Sequence, residues 1–267
     1  MINRNNFFNY KNKGVFKNKK VFDVEHTPEY IEHRDNQFQA LAYNVNSILY
    51  DSTPSNLVLQ GKYATGKTTV ARLFLEEAEK EFDNLYTVMV NCQFYNTENK
   101  ILLQIYNKLY DTSIQSGMST SKLIDKIKEK IEDKYLIVCL DEFQNIKNTK
   151  ELNSILYTLS RSHEYRYNLH ITTYCITTAD TSWQLVLSDN VCTIFLPTAV
   201  NFPQYSESEI YDILMRRVEL GFYPNVIDNY DFEEIVESTY LRGNLRFGLN
   251  ELKKYGVKKE MELDSYK

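Results

Sequence analysis

Apolar residues in this chain are concentrated in five short runs that do not alternate with polar residues. The runs are LVLQ (57–60), LYTVMVNC (85–92), YLIVCLDE (135–142), LHITTYCITT (169–178) and NVCTIFL (190–196). Strands that are apolar on both faces are typical of a parallel sheet covered by helices on each side. Segments with helical spacing of apolar residues separate the runs. The pattern therefore predicts an α/β doubly wound fold with a five-stranded parallel sheet flanked by helices.

The pattern changes after residue 203, where the strand-like runs stop. Three helical segments follow, and Ser206 with Glu209 fits a capping box at the start of the first one. Near the other end of the chain, apolar residues recur at helical spacing after Asp35, which can cap that helix. The expected organisation is a flexible arm (1–20), an α/β nucleotide-binding domain (21–200), a small all-helical lid domain (201–257) and a charged tail (258–267).

The composition is ordinary for a globular protein, with 43% hydrophobic and 25% charged residues. No apolar run approaches the roughly 18 residues that a membrane span needs, and the first residues lack the apolar core of a secretory signal. The four cysteines form no CxxC pair, which favours buried reduced thiols over metal ligands or disulfides. We therefore expect a cytoplasmic protein without a membrane partner.

Charge is unevenly distributed along the chain. Residues 1–20 contain six basic residues and no acidic residue, whereas the whole chain has a net charge of -5, so the remainder carries -11. A basic arm can contact DNA phosphates, and it can equally be a solvated tail. The net charge of -5, taken alone, argues against a general nucleic-acid surface.

Candidate chemistry begins directly after the first strand. The segment GKYATGKT (61–68) fits the phosphate-loop pattern G-x-x-x-x-G-K-S/T at every fixed position, between a strand and an amphipathic helix. Its glycines allow backbone N–H groups to point at a β-phosphate, and the following helix adds its positive end. Lys67 is expected to reach the β- and γ-phosphates, and the Thr68 hydroxyl to ligate Mg²⁺. The candidate nucleotide-binding residues here are Gly61, Lys62, Tyr63, Ala64, Thr65, Gly66, Lys67, Thr68 and Thr69.

Two adjacent acids supply the complementary half of this site. Asp141 and Glu142 follow the apolar run YLIVCL, at the carboxyl end of the third strand. Ligands of open α/β sheets bind at such ends. Asp141 is expected to hold Mg²⁺, and Glu142 to polarise the water that attacks the γ-phosphate. Adjacent acids after a strand are often only a solvated loop, and the phosphate loop is what favours catalysis here.

Two further polar groups are candidates for contact with the γ-phosphate. Thr177 or Thr178, at the end of the fourth strand, has a hydroxyl that can orient water, although both residues also suit an ordinary strand. Arg246 follows Gly243 and Asn244 in the helical module. An arginine on a mobile module can report whether a γ-phosphate is present. Without a family context, Arg246 is interpreted as a surface arginine.

Several motifs together resemble the archaeal origin-recognition initiators of the AAA+ class (Orc/Cdc type). The resemblance covers roughly residues 15–255. Its most specific elements are TPEYIEHRDNQ, VNCQ after the second strand and RGNLRFGLNEL in the helical module. Segments of a more general AAA+ kind are PSNLVLQGKYATGKT, GMSTSKLIDKIKEKI, IVCLDE and FPQYSESEIYDILMRRVELGF.

The resemblance implies an ATPase that binds ATP or ADP with Mg²⁺ and recognises double-stranded DNA at origin repeats. It places His33 and Arg34 on the adenine side of the nucleotide and makes Arg246 a second sensor. Thr178 stands where many relatives carry Asn as the γ-phosphate sensor, which predicts altered, slow hydrolysis. The family's DNA-contacting insertion is expected within residues 96–118. AAA+ self-association and replication proteins are the implied protein partners.

Two features depart from the family pattern. Relatives carry basic residues between the fourth and fifth strands, whereas SWQLVLSDNVCTIFL contains none, and Arg161 or Arg166 is left as a substitute. The family also continues into a winged-helix domain, whereas this sequence stops at Lys267. We therefore expect either a truncated product or a natural short form that binds DNA weakly or borrows contacts from a partner.

Two classes of function fit these features. The first is an ATP-dependent replication initiator in which nucleotide binding and hydrolysis act as a switch. The alternative is an AAA+ regulatory or helper ATPase that binds a protein partner, or the machinery of a mobile element, without sequence-specific DNA binding of its own.

Overall fold

The computed structural model describes residues 14–24, 26–161, 169–178 and 183–265. The chain divides into two compact units. The α/β unit comprises His33–Gln204, and the helical unit combines Met1–Glu32 with Tyr205–Lys267, of which the first described residue is Gly14.

The α/β unit is built on the predicted five-stranded parallel sheet, so the predicted fold class is confirmed. The strands are β1 (Leu57–Gln60), β2 (Leu85–Asn91), β3 (Lys134–Asp141), β4 (Leu169–Thr177) and β5 (Thr198–Asn201). Their order across the sheet is β2-β3-β4-β1-β5. Every pairing is parallel, so all carboxyl ends meet at one edge of the sheet. The order places the end of β4 between the end of β3 and the end of β1.

Helices cover both faces of this sheet. They are α1 (Asp35–Val45), α2 (Lys67–Glu81), α3 (Glu98–Tyr110), α4 (Thr120–Lys130), α5 (Thr149–Ser160) and the short α6 (Asp189–Cys192). Side chains of Thr97, Ser119 and Asn148 cap α3, α4 and α5 by accepting backbone N–H bonds. Asp35 does not cap α1 as expected. It is the first residue of that helix, where its negative charge suits the positive helix end.

The predicted position of the fifth strand, 190–196, is wrong. Residues Asp189–Cys192 form α6, and the strand begins at Thr198, after Pro197. Val191 and Phe195 are buried four residues apart, which is a helical spacing that a continuous apolar run conceals. The observed β5 lies at an edge of the sheet, and Val200 is its single buried residue. It is therefore not a strand buried on both faces.

Three helices dominate the helical unit: α7 (Glu207–Gly221), α8 (Asn229–Arg242) and α9 (Leu245–Ser265). The capping box at the start of α7 is present, with the Glu209 N–H donating to Ser206 Oγ at 3.3 Å and the Ser206 N–H donating to Glu209 Oε2 at 2.7 Å. Helix α9 continues to Ser265, so residues 258–265 are helical rather than a separate tail.

The segment before the α/β unit belongs with these helices. Val21 and Phe22 are buried in the apolar cluster of the helical unit, and the ring centroids of Phe22 and Phe222 lie 4.6 Å apart. The backbone N–H groups of Lys17 and Asn18 both donate to the carbonyl of Gly221. Residues 21–32 therefore group with the helical unit, and not with the nucleotide-binding domain to which the sequence pattern assigned them. Residues 1–13 of the predicted arm lie outside the described residues.

Within the described part of the chain, every helix is too short or too polar to span a lipid bilayer.

Candidate functional site

The loop from Gly61 to Thr68 leaves the carboxyl end of β1 and enters α2. Gly66, at the helix entry, has φ +87°, a conformation that glycine adopts without the steric cost of a side chain. Gly61 meets a spatial limit, because a Cβ there would lie 2.3 Å from the carbonyl oxygen of Phe202. Both fixed glycines of the pattern therefore have a structural requirement, and the predicted strand–loop–helix context is present.

Lys67 places its ammonium group inside this loop. Its Nζ donates to the carbonyl oxygens of Gly61 at 2.8 Å and Lys62 at 2.6 Å, and to Thr65 Oγ1 at 3.3 Å. The residue is 5% exposed, so its charge depends on these acceptors. The cation is therefore held at the centre of the loop, where the phosphate groups of a nucleotide are expected to bind.

The other loop residues separate into structural and exposed groups. Thr65 is buried, and its hydroxyl donates to the Lys62 carbonyl at 2.9 Å. Lys62 Nζ donates to Gln204 Oε1 at 3.2 Å, and the Tyr63 ring is exposed to solvent. Ala64 has a positive φ, +58°, which is uncommon for a residue with a side chain. Thr69 is half-buried in the first turn of α2.

Thr68 and Asp141 meet at the same edge of the sheet. The Thr68 hydroxyl donates to Asp141 Oδ1 at 3.1 Å. Burial raises the pKa of Asp141, the hydrogen bond from Thr68 opposes that shift, and the adjacent Glu142 carboxylate adds to it. A hydroxyl and a carboxylate oxygen side by side fit the hard oxygen ligands that Mg²⁺ selects. Among the described residues no three His, Cys, Asp or Glu side chains cluster.

Glu142 lies just beyond β3 in a left-handed conformation, with φ +53°. This conformation turns the chain sharply into a 3₁₀ turn at Phe143–Asn145. The side-chain amide of Asn145 donates to Glu142 Oε2 at 3.0 Å. The carboxylate is half-buried and is held at the edge of the sheet that also carries the loop.

The end of β4 lies between the acids and the loop. Thr177 pairs in register with Gln60, the residue before Gly61. Thr177 is fully buried, whereas Thr178 is half-buried and accepts a hydrogen bond from Gln144 Nε2 at 3.2 Å. Of the two threonines that the sequence left open, Thr178 is the one whose side chain is partly accessible.

Arg34 contacts the loop backbone. Its Nε donates to the Thr65 carbonyl at 3.0 Å, and its terminal nitrogens donate to the carbonyls of His33 and Pro203, both at 2.8 Å. The residue is 2% exposed. His33 is half-buried with φ +59°. The Arg34 guanidinium thus binds protein carbonyls around the loop, whereas the adenine-side role of both residues stays a prediction.

Four further sequence predictions concern Arg246, Arg161, Arg166 and the segment 96–118. Arg246 is exposed in the first turn of α9, within the helical unit, and its sensor role stays a prediction. Arg161 follows α5, where its guanidinium lies over the Tyr157 ring and donates to the Tyr157 hydroxyl. Arg166 lies outside the described residues. The segment 96–118 forms α3 and the loop after it, and its DNA contact stays a prediction.

Gln144 and Asn145 are the site residues that the sequence interpretation missed. They follow the acids in DEFQN, and two amides directly after paired acids were the available signal. Their importance becomes visible only when the turn brings each amide to a candidate catalytic side chain.

The chain is similar to known proteins over most of its length. The family described as an AAA domain matches residues 50–174. An ORC1-type DNA replication protein 2 from Methanothermobacter thermautotrophicus is 32% identical over 245 residues, covering 91% of this chain and 64% of that protein. An ORC1-type DNA replication protein 3 from Haloarcula marismortui is 31% identical over 255 residues, covering 93% of this chain and 68% of that protein.

A solved structure supports the same fold. The Aeropyrum pernix ORC1 protein, determined in complex with DNA, superposes with a TM-score of 0.79 at 23% identity. The match covers 93% of this chain and 65% of that one. The chain spans 64–66% of the length of the first curated relatives it matches.

Proposed function

This chain belongs to the family of ORC1-type DNA replication proteins, and from that membership we propose that it is an ATP-dependent replication initiator. In this proposal ATP binding and slow hydrolysis act as a switch that controls contact with double-stranded DNA at origin repeats. The single observation that best supports nucleotide binding is the hydrogen bond between Thr68 and Asp141. It joins the end of the phosphate loop to the acidic end of β3.

The geometry of the loop supports a specific set of proposed nucleotide contacts. The N–H groups of the loop and of the first turn of α2 face the phosphates, and Lys67 turns from the loop carbonyls to the β- and γ-phosphate oxygens. Thr68 and Asp141 would hold Mg²⁺, directly or through water. When bound, this ion neutralises phosphate charge and fixes the orientation of the phosphates.

Hydrolysis requires a base beside the γ-phosphate. In the proposed reaction a water oxygen bonds to the γ-phosphorus while the bond between that phosphorus and the β–γ bridging oxygen breaks. The proton of the water passes to Glu142, and ADP and inorganic phosphate leave. Thr178 orients the γ-phosphate, and Arg246 is the sequence-based candidate for a second sensor.

The DNA part of the proposal is supported by the relatives. Those reported above are named replication proteins, and the Aeropyrum pernix ORC1 protein was determined with DNA. We assign the DNA contact to the segment 96–118 and to the six basic residues of 1–20, whose positive charges can contact DNA phosphates. AAA+ self-association and other replication proteins are the proposed protein partners.

Calorimetry combined with a DNA mobility shift tests both parts. We expect Mg-ATP to bind the wild-type chain and not Lys67→Ala, whereas Lys80→Ala, an exposed lysine near the other end of α2, retains binding. ATP should then strengthen the shift of origin-repeat DNA relative to a scrambled duplex. Nucleotide binding that survives in Lys67→Ala would contradict the nucleotide site, and equal weak shifts of both duplexes would contradict origin recognition.

The acidic charge of the remainder of the chain favours one alternative, a regulatory AAA+ protein that binds a protein partner. Residues 21–267 carry a net charge of -11, which disfavours a broad DNA surface. The same mobility shift separates the two functions. A steep fall of affinity with salt supports DNA binding because phosphate contacts release counterions, whereas no measurable DNA affinity at low salt supports the alternative.

A further inference from the structure

The turn after β3 brings a side-chain amide to the residue between the two halves of the site. Gln144, the middle residue of the 3₁₀ turn Phe143–Asn145, donates from Nε2 to Thr178 Oγ1 at 3.2 Å. Because β4 lies between β3 and β1, Thr178 follows the strand that separates Glu142 from Gly61. Gln144 therefore contacts a polar side chain that follows the middle strand of the sheet.

The backbone of this turn is fixed by its neighbours. Phe143 is 1% exposed and Ile146 is 7% exposed, so the residue before Gln144 and the second residue after it are buried in the core. The N–H of Asn145 donates to the Glu142 carbonyl at 2.9 Å, and the N–H of Ile146 donates to the Phe143 carbonyl at 3.1 Å. The Gln144 side chain consequently extends from a constrained position toward Thr178.

The direction of the hydrogen bond decides what Thr178 can offer to a ligand. A hydroxyl has one proton to donate and two lone pairs that accept. Since Gln144 donates to the oxygen, the Thr178 proton is not used in that contact and remains available for another acceptor. A γ-phosphate is an anion, and it is stabilised by donors rather than acceptors. The amide thus selects the hydroxyl orientation that an anionic phosphate needs.

We propose that Gln144 is a positioning residue for the γ-phosphate, acting through Thr178. This role rests on the proposed ATP function. It adds to that function a means by which the site distinguishes ATP from ADP. Glutamine suits this role because its amide supplies a donor without a charge. Aspartate or glutamate at the same position would accept the hydroxyl proton and turn Thr178 away from the phosphate.

Nucleotide affinities of a short series of variants test this proposal. We expect Gln144→Ala to lower the affinity for ATPγS about tenfold, a loss typical of a weakened hydrogen bond to a charged group, with ADP affinity unchanged. Gln144→Glu should be at least as impaired, although it preserves side-chain length. Gln39→Ala, an exposed glutamine on α1, is the matched control and should bind both nucleotides normally. A purely structural role for Gln144 would weaken both nucleotides equally.

A double-mutant cycle with Thr178→Val tests whether Gln144 affects ATPγS affinity through the Thr178 hydroxyl. Because Gln144 acts through the Thr178 hydroxyl, Gln144→Ala should cause no further loss of ATPγS affinity in the valine background. The proposal would be overturned if the losses of ATPγS affinity from Gln144→Ala and Thr178→Val were additive. It would also be overturned if Gln144→Glu bound ATPγS like the wild type, or if Gln144→Ala lost ADP and ATPγS affinity to the same extent. A wild-type chain that binds neither nucleotide would overturn the proposed ATP function as well, and thermal unfolding of each variant verifies that it is folded.

Discussion

Arg34 donates from Nε to the carbonyl oxygen of Thr65 at 3.0 Å, which links the start of α1 to the phosphate loop. The same guanidinium reaches the carbonyl of Pro203 at 2.8 Å, beyond the end of β5. A planar group with several fixed donors can hold two distant carbonyls at once, whereas an ammonium is a point donor. The loop shape therefore depends on a side chain far from it in sequence.

Replacement of this arginine tests that dependence. We expect Arg34→Lys to weaken Mg-ATP affinity about tenfold or more, since lysine retains the charge but loses the bridging geometry and leaves buried carbonyls unpaired. Isothermal calorimetry gives the affinity, and chemical denaturation gives the accompanying loss of stability. Arg216→Lys, an exposed arginine on α7, is the control. Unchanged nucleotide affinity in Arg34→Lys would show that the hydrogen bonds from Arg34 to the carbonyls of Thr65 and Pro203 do not shape the site.

Gly61 gives a second test of loop geometry. A methyl group there would lie 2.3 Å from the Phe202 carbonyl oxygen, and backbone cannot move aside as a flexible side chain can. Gly61→Ala should therefore displace the loop and reduce ATP binding at least tenfold. Gly117→Ala is a matched control, because Gly117 has φ +100° with no atom near its would-be Cβ. That control should lose about 1 kcal/mol of stability and keep its nucleotide affinity.

Glu142→Gln separates binding from hydrolysis. The amide keeps the size of the side chain but cannot take a proton from the attacking water, so turnover should fall by about 100-fold or more while ATP affinity is retained. Single-turnover hydrolysis of labelled ATP measures the first quantity and calorimetry the second. Glu132→Gln, an exposed acid after α4, should match the wild type in both. Wild-type turnover in Glu142→Gln would assign the base to another residue.

The ionised Asp141 carboxyl is expected to lower the stability of the folded chain although Mg-dependent turnover requires it. Burial raises the pKa of this carboxyl, so its ionised form destabilises the folded chain near neutral pH. Asp141→Asn removes that cost, and Asn Oδ1 can still accept from Thr68. We expect the variant to be more stable by about 1 kcal/mol at pH 7 and to lose Mg-dependent turnover.

The pH dependence of that difference has a defined sign. A raised carboxyl pKa means that the folded state binds protons more tightly, so the wild type loses stability as pH rises through the folded-state value. The advantage of Asp141→Asn should thus shrink as pH falls from 7 toward the ordinary carboxyl value of about 4. Urea denaturation at several pH values measures it, and an advantage that grows at low pH would contradict the assignment.

Elements that depend on residues close together in the sequence were the ones that the sequence could predict. Strands β1 to β4 and the phosphate loop are encoded by contiguous residues, so local patterns were sufficient. Edge strand β5 buries only Val200 and has no continuous apolar run. The fifth strand was therefore predicted at the preceding apolar run, which contains the buried residues Val191 and Phe195. A single sequence offers no local signal for such a half-exposed strand.

Long-range contacts account for the other differences. The carbonyl partner of Arg34 at Pro203 is 169 residues away, and Phe22 packs on Phe222 across a similar separation. Gln144 became a candidate only because β3 and β4 are adjacent, which places its amide beside Thr178. In each case the residue type was compatible with a surface position, and only the fold identified its partner.

Gly221 allows the packing of the N-terminal segment to be tested in the helical unit. Alanine at the last residue of α7 would be favoured by helix propensity by about 1 kcal/mol. Its Cβ would, however, lie 2.2 Å from the Phe22 ring and 2.8 Å from Val21 Cγ2. Overpacking of a close-packed core costs about 1–3 kcal/mol, so the steric term should exceed the propensity gain and Gly221→Ala should be destabilised.

Thermal unfolding and limited proteolysis measure this effect. The expected result is a lower unfolding midpoint with earlier cleavage in residues 14–24, because the Gly221 carbonyl also accepts from the N–H groups of Lys17 and Asn18. Leu220→Ala, at the neighbouring and exposed position, should shift the midpoint little. If Gly221→Ala proved more stable than the wild type, helix propensity would outweigh the contact. Residues 21–22 would then not be packed against α7 as tightly as their burial implies.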